Sequence, residues 1–440
     1  MRIATCIALL CVAALASATT CAAAQAATGP ADVRVVQADG VWQLTVDGAP
    51  FRVRGAGLSG GDPDALAQRG GNALRTWSTG LDRAAVTAML DRAQRNGLRV
   101  AMGLEVGKER HGFDYDDPAA VAAQLARIRE EVAAYKDHPA VLMWLVGNEL
   151  NLEARNPAVW DAVNAIAEAI HGIDPHHPVM TPLAGFDAAL IDTLNTRAPA
   201  LDLIGVQLYG DIEGMQTRLR DAGWTGAYIV TEWGPTGHWE SPRTHWGAPI
   251  EDDATRKAEL LAERYVRDID SDRTQGLGAF VFLWGQKQER TPTWYGLFLA
   301  SGESTPGVDA MQRLWTGAWP ANRAPAITPI RIGDRIALDS VTLQPDSEHR
   351  ASVEVRDPEG DPVRYRWVVR EESVATSIGG DPETVPPEVP LRISAADDAG
   401  GLRFSAPVTP GQYRLFVEAH DGQGHATYAN FPFRVAGAQD

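Results

Sequence analysis

Val141-Leu142-Met143-Trp144-Leu145-Val146-Gly147-Asn148-Glu149 runs through six apolar residues and closes on a glycine, an amide and a carboxylate. A strand with one wet face alternates, whereas an unbroken apolar run of this length is buried on both faces, as in a parallel sheet covered by helices. Helix-patterned segments flank it at 118–136 and 157–171. Outward from this unit the same alternation recurs. Strands are expected at 51–57, 73–77, 98–106, 141–149, 178–185, 201–210, 227–234 and 277–285, with helical segments at 63–69, 82–96, 118–136, 157–171, 187–197, 215–222, 255–270 and 308–316. Eight strands, each followed by a helix, is the (β/α)8 TIM-barrel count, and the fold class is α/β. An open doubly wound sheet competes through Gly55-Ala56-Gly57-Leu58-Ser59-Gly60, close to G-x-G-x-x-G; but Trp77, not an acidic residue, stands where the second strand closes. Residues 42–46 and 51–53, joined by Asp47-Gly48, read as a hairpin plugging the barrel floor.

Past Trp319 the pattern changes. Residues 321–329, with Pro325 and Pro329, read as a linker, and from Ile330 the chain alternates with period two between Gly, Pro and Asp turns. Arg364-Tyr365-Arg366-Trp367-Val368-Val369 and Tyr413-Arg414-Leu415-Phe416-Val417-Glu418 are clear strands. The expected organisation is a barrel over 28–320 and a small all-β, immunoglobulin-like sandwich over 330–440 that serves as a spacer or a binding accessory. The turns Asp357-Pro358-Glu359-Gly360-Asp361 and Asp421-Gly422 resemble those of PKD- or cadherin-like domains, where calcium binds such oxygens; plain hairpin turns are the favoured reading.

The 440 residues carry 40 Lys+Arg against 57 Asp+Glu, a net charge of −17, which disfavours nucleic acid as a partner. Met1-Arg2, an apolar run over 3–16 and Ala24-Gln25-Ala26 read as a Sec-type signal peptide over 1–27, too short for a membrane span. Cys6, Cys11 and Cys21 all lie within it, so the mature chain is expected to have no cysteine and to be a bacterial periplasmic or secreted protein.

In a (β/α)8 barrel the chemistry sits at the C-terminal ends of the strands. The fourth expected strand ends Gly147-Asn148-Glu149 and the seventh Thr231-Glu232-Trp233-Gly234. An apolar strand that ends in a carboxylate must desolvate it beside the core, and two such strands, three units apart, converge on one mouth. Paired carboxyls suit acetal cleavage: one protonates the leaving oxygen while the other attacks the anomeric carbon or activates water. Mutual repulsion raises one pKa. No metal or cofactor is called for, and H-E-x-x-H is absent.

On these residues the chain resembles the clan A retaining glycoside hydrolases, and within them the barrel of glycoside hydrolase family 2, without that family's N-terminal sandwich domains. The resemblance implies Glu149 as acid/base and Glu232 as nucleophile. It also implies Asn148 on the sugar 2-hydroxyl, Arg75 steadying the nucleophile, Tyr209 hydrogen-bonded to it, and Trp284 flooring the sugar site. A retaining hydrolase of a β-linked oligo- or polysaccharide is the expectation; a β-glucan transglycosylase or an inactive carbohydrate-binding barrel are the alternatives.

Twelve of the 13 tryptophans precede residue 320. Sugar C–H faces pack on aromatic rings, so Trp239, Trp246 and Trp294 are candidate cleft walls, with Gln286 and Glu289 candidates beside them. Glu105 is a further candidate, or a salt-bridge partner of Lys108 or Arg110. His176-His177 reads as a solvated turn at the far end of the barrel.

Overall fold

A computed structural model describes residues 29–437 except Leu81, and for Ser59 the backbone alone. The expected signal peptide and all three cysteines lie outside the described residues. Eight strands, β1 (Val53–Ser59), β2 (Ala73–Arg75), β3 (Arg99–Leu104), β4 (Val141–Val146), β5 (Val179–Ala184), β6 (Leu203–Gln207), β7 (Tyr228–Trp233) and β8 (Gly276–Gly285), form a closed barrel. They follow one another around it in chain order, every neighbour is parallel, and β8 pairs with β1. This is a TIM barrel.

The helices form where apolar residues recur at helical spacing, and their starts are marked chemically. Asp62, Asp82, Asp117, Asp187 and Asp253 each accept backbone N–H groups at the head of α1 (Pro63–Gln68), α2 (Arg83–Arg95), α3 (Pro118–Tyr135), α5 (Ala188–Arg197) and α7 (Ala254–Arg264). α4 (Ala158–Ile173), α6 (Met215–Asp221) and α8 (Pro306–Thr316) complete the ring. One core lies between helices and strands, around Leu74, Val100, Trp144, Val163, Val206 and Val281. Another fills the lower barrel, where Val33, Leu44 and Val46 meet Ala73, Leu142, Leu145 and Phe280. The floor is one strand larger than expected: Val33–Ala38 and Ala49–Pro50 flank Val41–Val46. Beside it His177 is buried, its Nδ1 2.7 Å from Asp174, so it is not a solvated turn.

After α8 the chain forms a sandwich of a four-stranded sheet (Arg331–Ile332, Glu348–Ser352, Gly401–Ser405, Arg392–Ala396) and a five-stranded one (Thr342–Leu343, Ala426–Val435, Gly411–His420, Arg364–Glu371, Glu388–Val389). Trp367 and Val369 face its core. The stretch read as a linker is packed: Ala326–Ile327 pairs with Val355–Arg356, and the Ile327 amide donates to Thr255 Oγ1 of α7.

The two units share a buried polar seam. Lys257 of α7 pairs with Glu251 and donates to the Thr293 and Trp294 carbonyls at 2.8 and 3.0 Å. Asn430 of the sandwich donates to Glu251 at 2.6 Å, and sandwich Arg414 donates to the Pro249 carbonyl at 2.7 Å. Removing one member of a buried pair strands the other's charge. Lys257→Met should therefore lower stability by about 3 kcal/mol while barrel and sandwich still unfold together; an unchanged urea midpoint would show that the seam does not hold them.

Candidate functional site

Arg75 ends β2 and points into the barrel mouth with 0% exposure. A guanidinium there needs acceptors, and it has three: Glu232 Oε1 at 3.2 Å, the Thr231 carbonyl at 2.9 Å and Asn148 Oδ1 at 2.7 Å. Glu232, from β7, also accepts the Trp77 indole N–H at 2.7 Å on Oε1 and the Tyr209 hydroxyl at 3.1 Å on Oε2. Burial, then the Glu232 charge, pushes the Tyr209 phenol well above its ordinary range, so it remains a donor. Asn148 accepts a second bond on Oδ1 from Gln207 Nε2 at 2.8 Å. Its Nδ2 has no partner among the described residues and is left for the cleft.

Glu149 follows directly, at a φ of 55° that non-glycine residues seldom adopt. Its backbone N–H is held by the Pro182 carbonyl at 3.0 Å, but its carboxyl accepts no hydrogen bond from the described residues. Burial first, and the Glu232 charge second, raise its pKa to about 7, against the pull of Lys108, Arg110 and Arg75. The two carboxyls face one cleft of about 1140 Å³. One is pinned by three donors; the other has none and keeps its proton near neutrality.

Aromatic rings line this cleft. Tyr209 meets Trp239, Phe282 and Tyr295 edge-on at centroid distances of 5.4, 6.1 and 5.4 Å, and Trp77 meets Phe282 at 5.8 Å. Trp239 is 54% exposed at the rim. His238 beneath it is neutral, its pKa lowered to about 4 by burial and nearby cations. Glu289 lines the cleft beside Lys287 Nζ at 2.8 Å, and Glu105 lines it without pairing to Lys108 or Arg110.

The structure thus brings together Arg75, Asn148, Glu149, Tyr209, Glu232 and Trp239. It does not bring Trp284, Trp294, Trp246 or Gln286 to the cleft. Trp284 packs outward on Phe298 and Trp315 and donates to the Asp62 carbonyl at 3.1 Å. The β8–β1 register slips between Val281 and Trp284, so strict alternation fails there and Phe282 takes the inward place. Trp294 is 1% exposed and bonded to the Thr236 carbonyl under the β7 loop; Trp246 is half-buried elsewhere, and Gln286 donates to the Pro292 carbonyl. Sequence reasoning did not single out Trp77 or Gln207. Both stand two residues from a residue it did name, Arg75 and Tyr209, a spacing that shares a strand face.

Residues 76–217, from the end of β2 into α6, match the family described as "Glycosyl hydrolases family 2, TIM barrel domain". No curated protein matches the chain. Among solved structures it is similar to a Bacteroides uniformis beta-glucuronidase (TM-score 0.51, 14% identity, 92% of this chain and 48% of that one). It is similar also to a Dictyoglomus thermophilum beta-D-glucuronidase (0.51, 18%, 66% and 54%) and to the Bifidobacterium dentium beta-glucuronidase complexed with coumarin-3-O-glucuronide (0.51, 18%, 65% and 49%). The chain spans about half the length of these structures. It carries a barrel like that of glycoside hydrolase family 2, followed by a β-sandwich.

The Glu149 environment has a thermodynamic signature. A carboxyl whose pKa is higher in the folded than in the unfolded chain costs stability as pH rises from its ordinary value of 4.5 through about 7. Glu149→Gln cannot ionise. Its thermal midpoint should exceed that of the wild type by a few degrees at pH 8 and match it at pH 4; equal midpoints at both pH values would contradict the raised pKa.

Proposed function

We propose that this chain is an exported retaining β-glycosidase that cleaves β-linked glycans by double displacement. The supporting observation is the unequal treatment of two carboxyls in one cleft. Glu232 accepts hydrogen bonds from Arg75, Trp77 and Tyr209 and is fixed for attack, while Glu149 accepts none and holds a proton near pH 7.

In the first step Glu232 attacks the anomeric carbon as Glu149 gives its proton to the departing oxygen. The positive charge that develops on the sugar is met by a carboxylate already oriented, so little reorganisation is left for the transition state. The Asn148 amide N–H groups, turned to the cleft by Arg75 and Gln207, bond a ring hydroxyl. In the second step ionised Glu149 takes a proton from water, which cleaves the glycosyl ester with net retention. An acceptor sugar in place of that water would give transglycosylation with the same residues. Lys108 lines the cleft with no ion-pair partner among the described residues. It gives an anionic sugar a counter-charge, and aryl β-glucuronides belong in the substrate panel with β-glucosides, β-galactosides and β-mannosides.

On the active aryl glycoside, Glu232→Gln should lower kcat by roughly 10⁴-fold or more with an unchanged circular dichroism spectrum. Glu149→Gln should cost roughly 10²–10⁴-fold, and most on poor leaving groups. The wild-type kcat/KM should fall above about pH 7 as Glu149 loses its proton. NMR of the first-formed sugar should show the β-anomer; the α-anomer would exclude double displacement.

A further inference from the structure

Between the sandwich strands Arg364–Glu371 and Glu388–Val389 the chain leaves its sheet, and at the tip of this excursion residues 378–382 line the cleft that holds Glu149 and Glu232. The tip is tied to the barrel on opposite sides. Asp381 pairs with Arg110 at 3.3 Å and His111 at 3.1 Å, in the loop after β3. In the loop after β8, Lys287 Nζ donates to the Gly380 carbonyl at 2.7 Å and the Arg290 backbone N–H donates to Glu383 at 2.6 Å. Gly379, at a φ of 58°, lies so close to Leu152, after β4, that an added Cβ would stand 2.7 Å from its Cδ2. β4 and β8 are four strands apart in the ring, so the segment spans the mouth. These ties reach the loops after β3, β4 and β8, and not β2, β6 or β7, whose ends supply Arg75, Tyr209 and Glu232.

The contact with Leu152 bears on the chemistry. Leu152 belongs to the turn that follows the acid, its N–H donating to the Glu149 carbonyl at 3.1 Å. An acid that protonates the departing oxygen stands within hydrogen-bond reach of it, and whatever that oxygen carries continues past the acid, away from the nucleophile. The turn after Glu149 therefore borders the leaving group. Three apolar side chains from three parts of the chain line the cleft there: Phe113 from the β3 loop, Leu152 from the β4 loop and Ile378 from the sandwich. Ile378 is 37% exposed and belongs to neither the barrel core nor the sandwich core. Exposed apolar surface facing a cleft suits a flat apolar partner, either an aryl ring or the C–H face of a second sugar.

We propose that the sandwich segment 378–382 completes the subsite for the leaving group, with Ile378 as its apolar contact. The inference rests on the glycosidase reading above. Binding of a part of the substrate that does not react lowers the barrier at the bond that does, so the sandwich sets which leaving groups are cleaved fast.

The test uses the full-length chain and three substrates of the sugar that an aryl β-glycoside panel selects: the β-glycosyl fluoride, a naphthyl β-glycoside and a β-linked disaccharide. Fluoride reaches no farther than Glu149 and cannot touch Ile378. Ile378→Ala should lower kcat/KM on the naphthyl glycoside, the disaccharide or both by about tenfold, with the fluoride within about twofold of wild type and the thermal midpoint unchanged. Which of the two larger substrates suffers tells an aryl ring from a sugar face. Ile378→Leu keeps the apolar bulk and should restore turnover to within about twofold. Equal losses on all three substrates, no loss on either larger one, or a loss that leucine does not repair overturns the subsite and leaves the glycosidase reading standing. Failure of wild type to cleave any of the panel, the fluorides or the disaccharides overturns the glycosidase reading and the subsite together.

Discussion

A fully buried guanidinium governs this site. Arg75 cannot be solvated, so its charge must be met by fixed acceptors, and the barrel supplies Glu232, Asn148 and the Thr231 carbonyl. Each acceptor is thereby oriented. The Glu232 carboxylate is held from below by Arg75 and from the sides by Trp77 and Tyr209. The Asn148 carbonyl is committed to Arg75 and Gln207, which turns its amide N–H groups toward the cleft. Glu149, one residue further on, shares none of these bonds; burial first, and the like charge of Glu232 second, keep its proton on to higher pH. One cation thus fixes Glu232 and Asn148 in place while Glu149 beside them is left without a hydrogen-bond donor.

Much of this could be read from the chain because both signals are local. An apolar run broken by Gly-Asn-Glu states at once that a strand is buried on both faces and that a carboxylate stands at its end. The barrel strands from β3 to β8 are heralded by apolar runs, and Arg75, Asn148, Tyr209 and Glu232 meet because strand ends in a closed barrel have only one place to point. Trp77 and Gln207 follow from the same rule, read one period-two step on from Arg75 and one step back from Tyr209.

What could not be read depends on register or on distant chain. Trp284 lies in a strand that alternates as expected until its pairing with β1 slips; nothing in Phe282-Leu283-Trp284-Gly285 signals which ring will turn inward. His177 looked solvated because it adjoins His176 and a proline, yet Asp174, three residues earlier, folds back to meet it in the barrel floor. The sandwich is the largest case. Its strands were legible by alternation, but its docking against α7 and the β8 loop rests on Arg414, Asn430 and Lys257, residues that a sequence reading assigns to surface or strand.

That docking bears directly on the cleft. A segment without ladder hydrogen bonds contributes to a binding site only if its conformational entropy is already spent before substrate arrives. The excursion meets this condition in three ways. At its root Glu372 receives Arg414, which is itself fixed to Asn430 and to the Pro249 carbonyl of the barrel. Along its length Pro382, Pro386 and Pro387 restrict the backbone, and Arg370 bonds the Pro386 carbonyl at 2.8 Å. At its tip Asp381 and Glu383 are paired to barrel loops on two sides. Rigid root, stiff span and pinned tip together make the sandwich part of the wall around the two carboxyls, so the cleft belongs to both units and the seam between them is what keeps its shape.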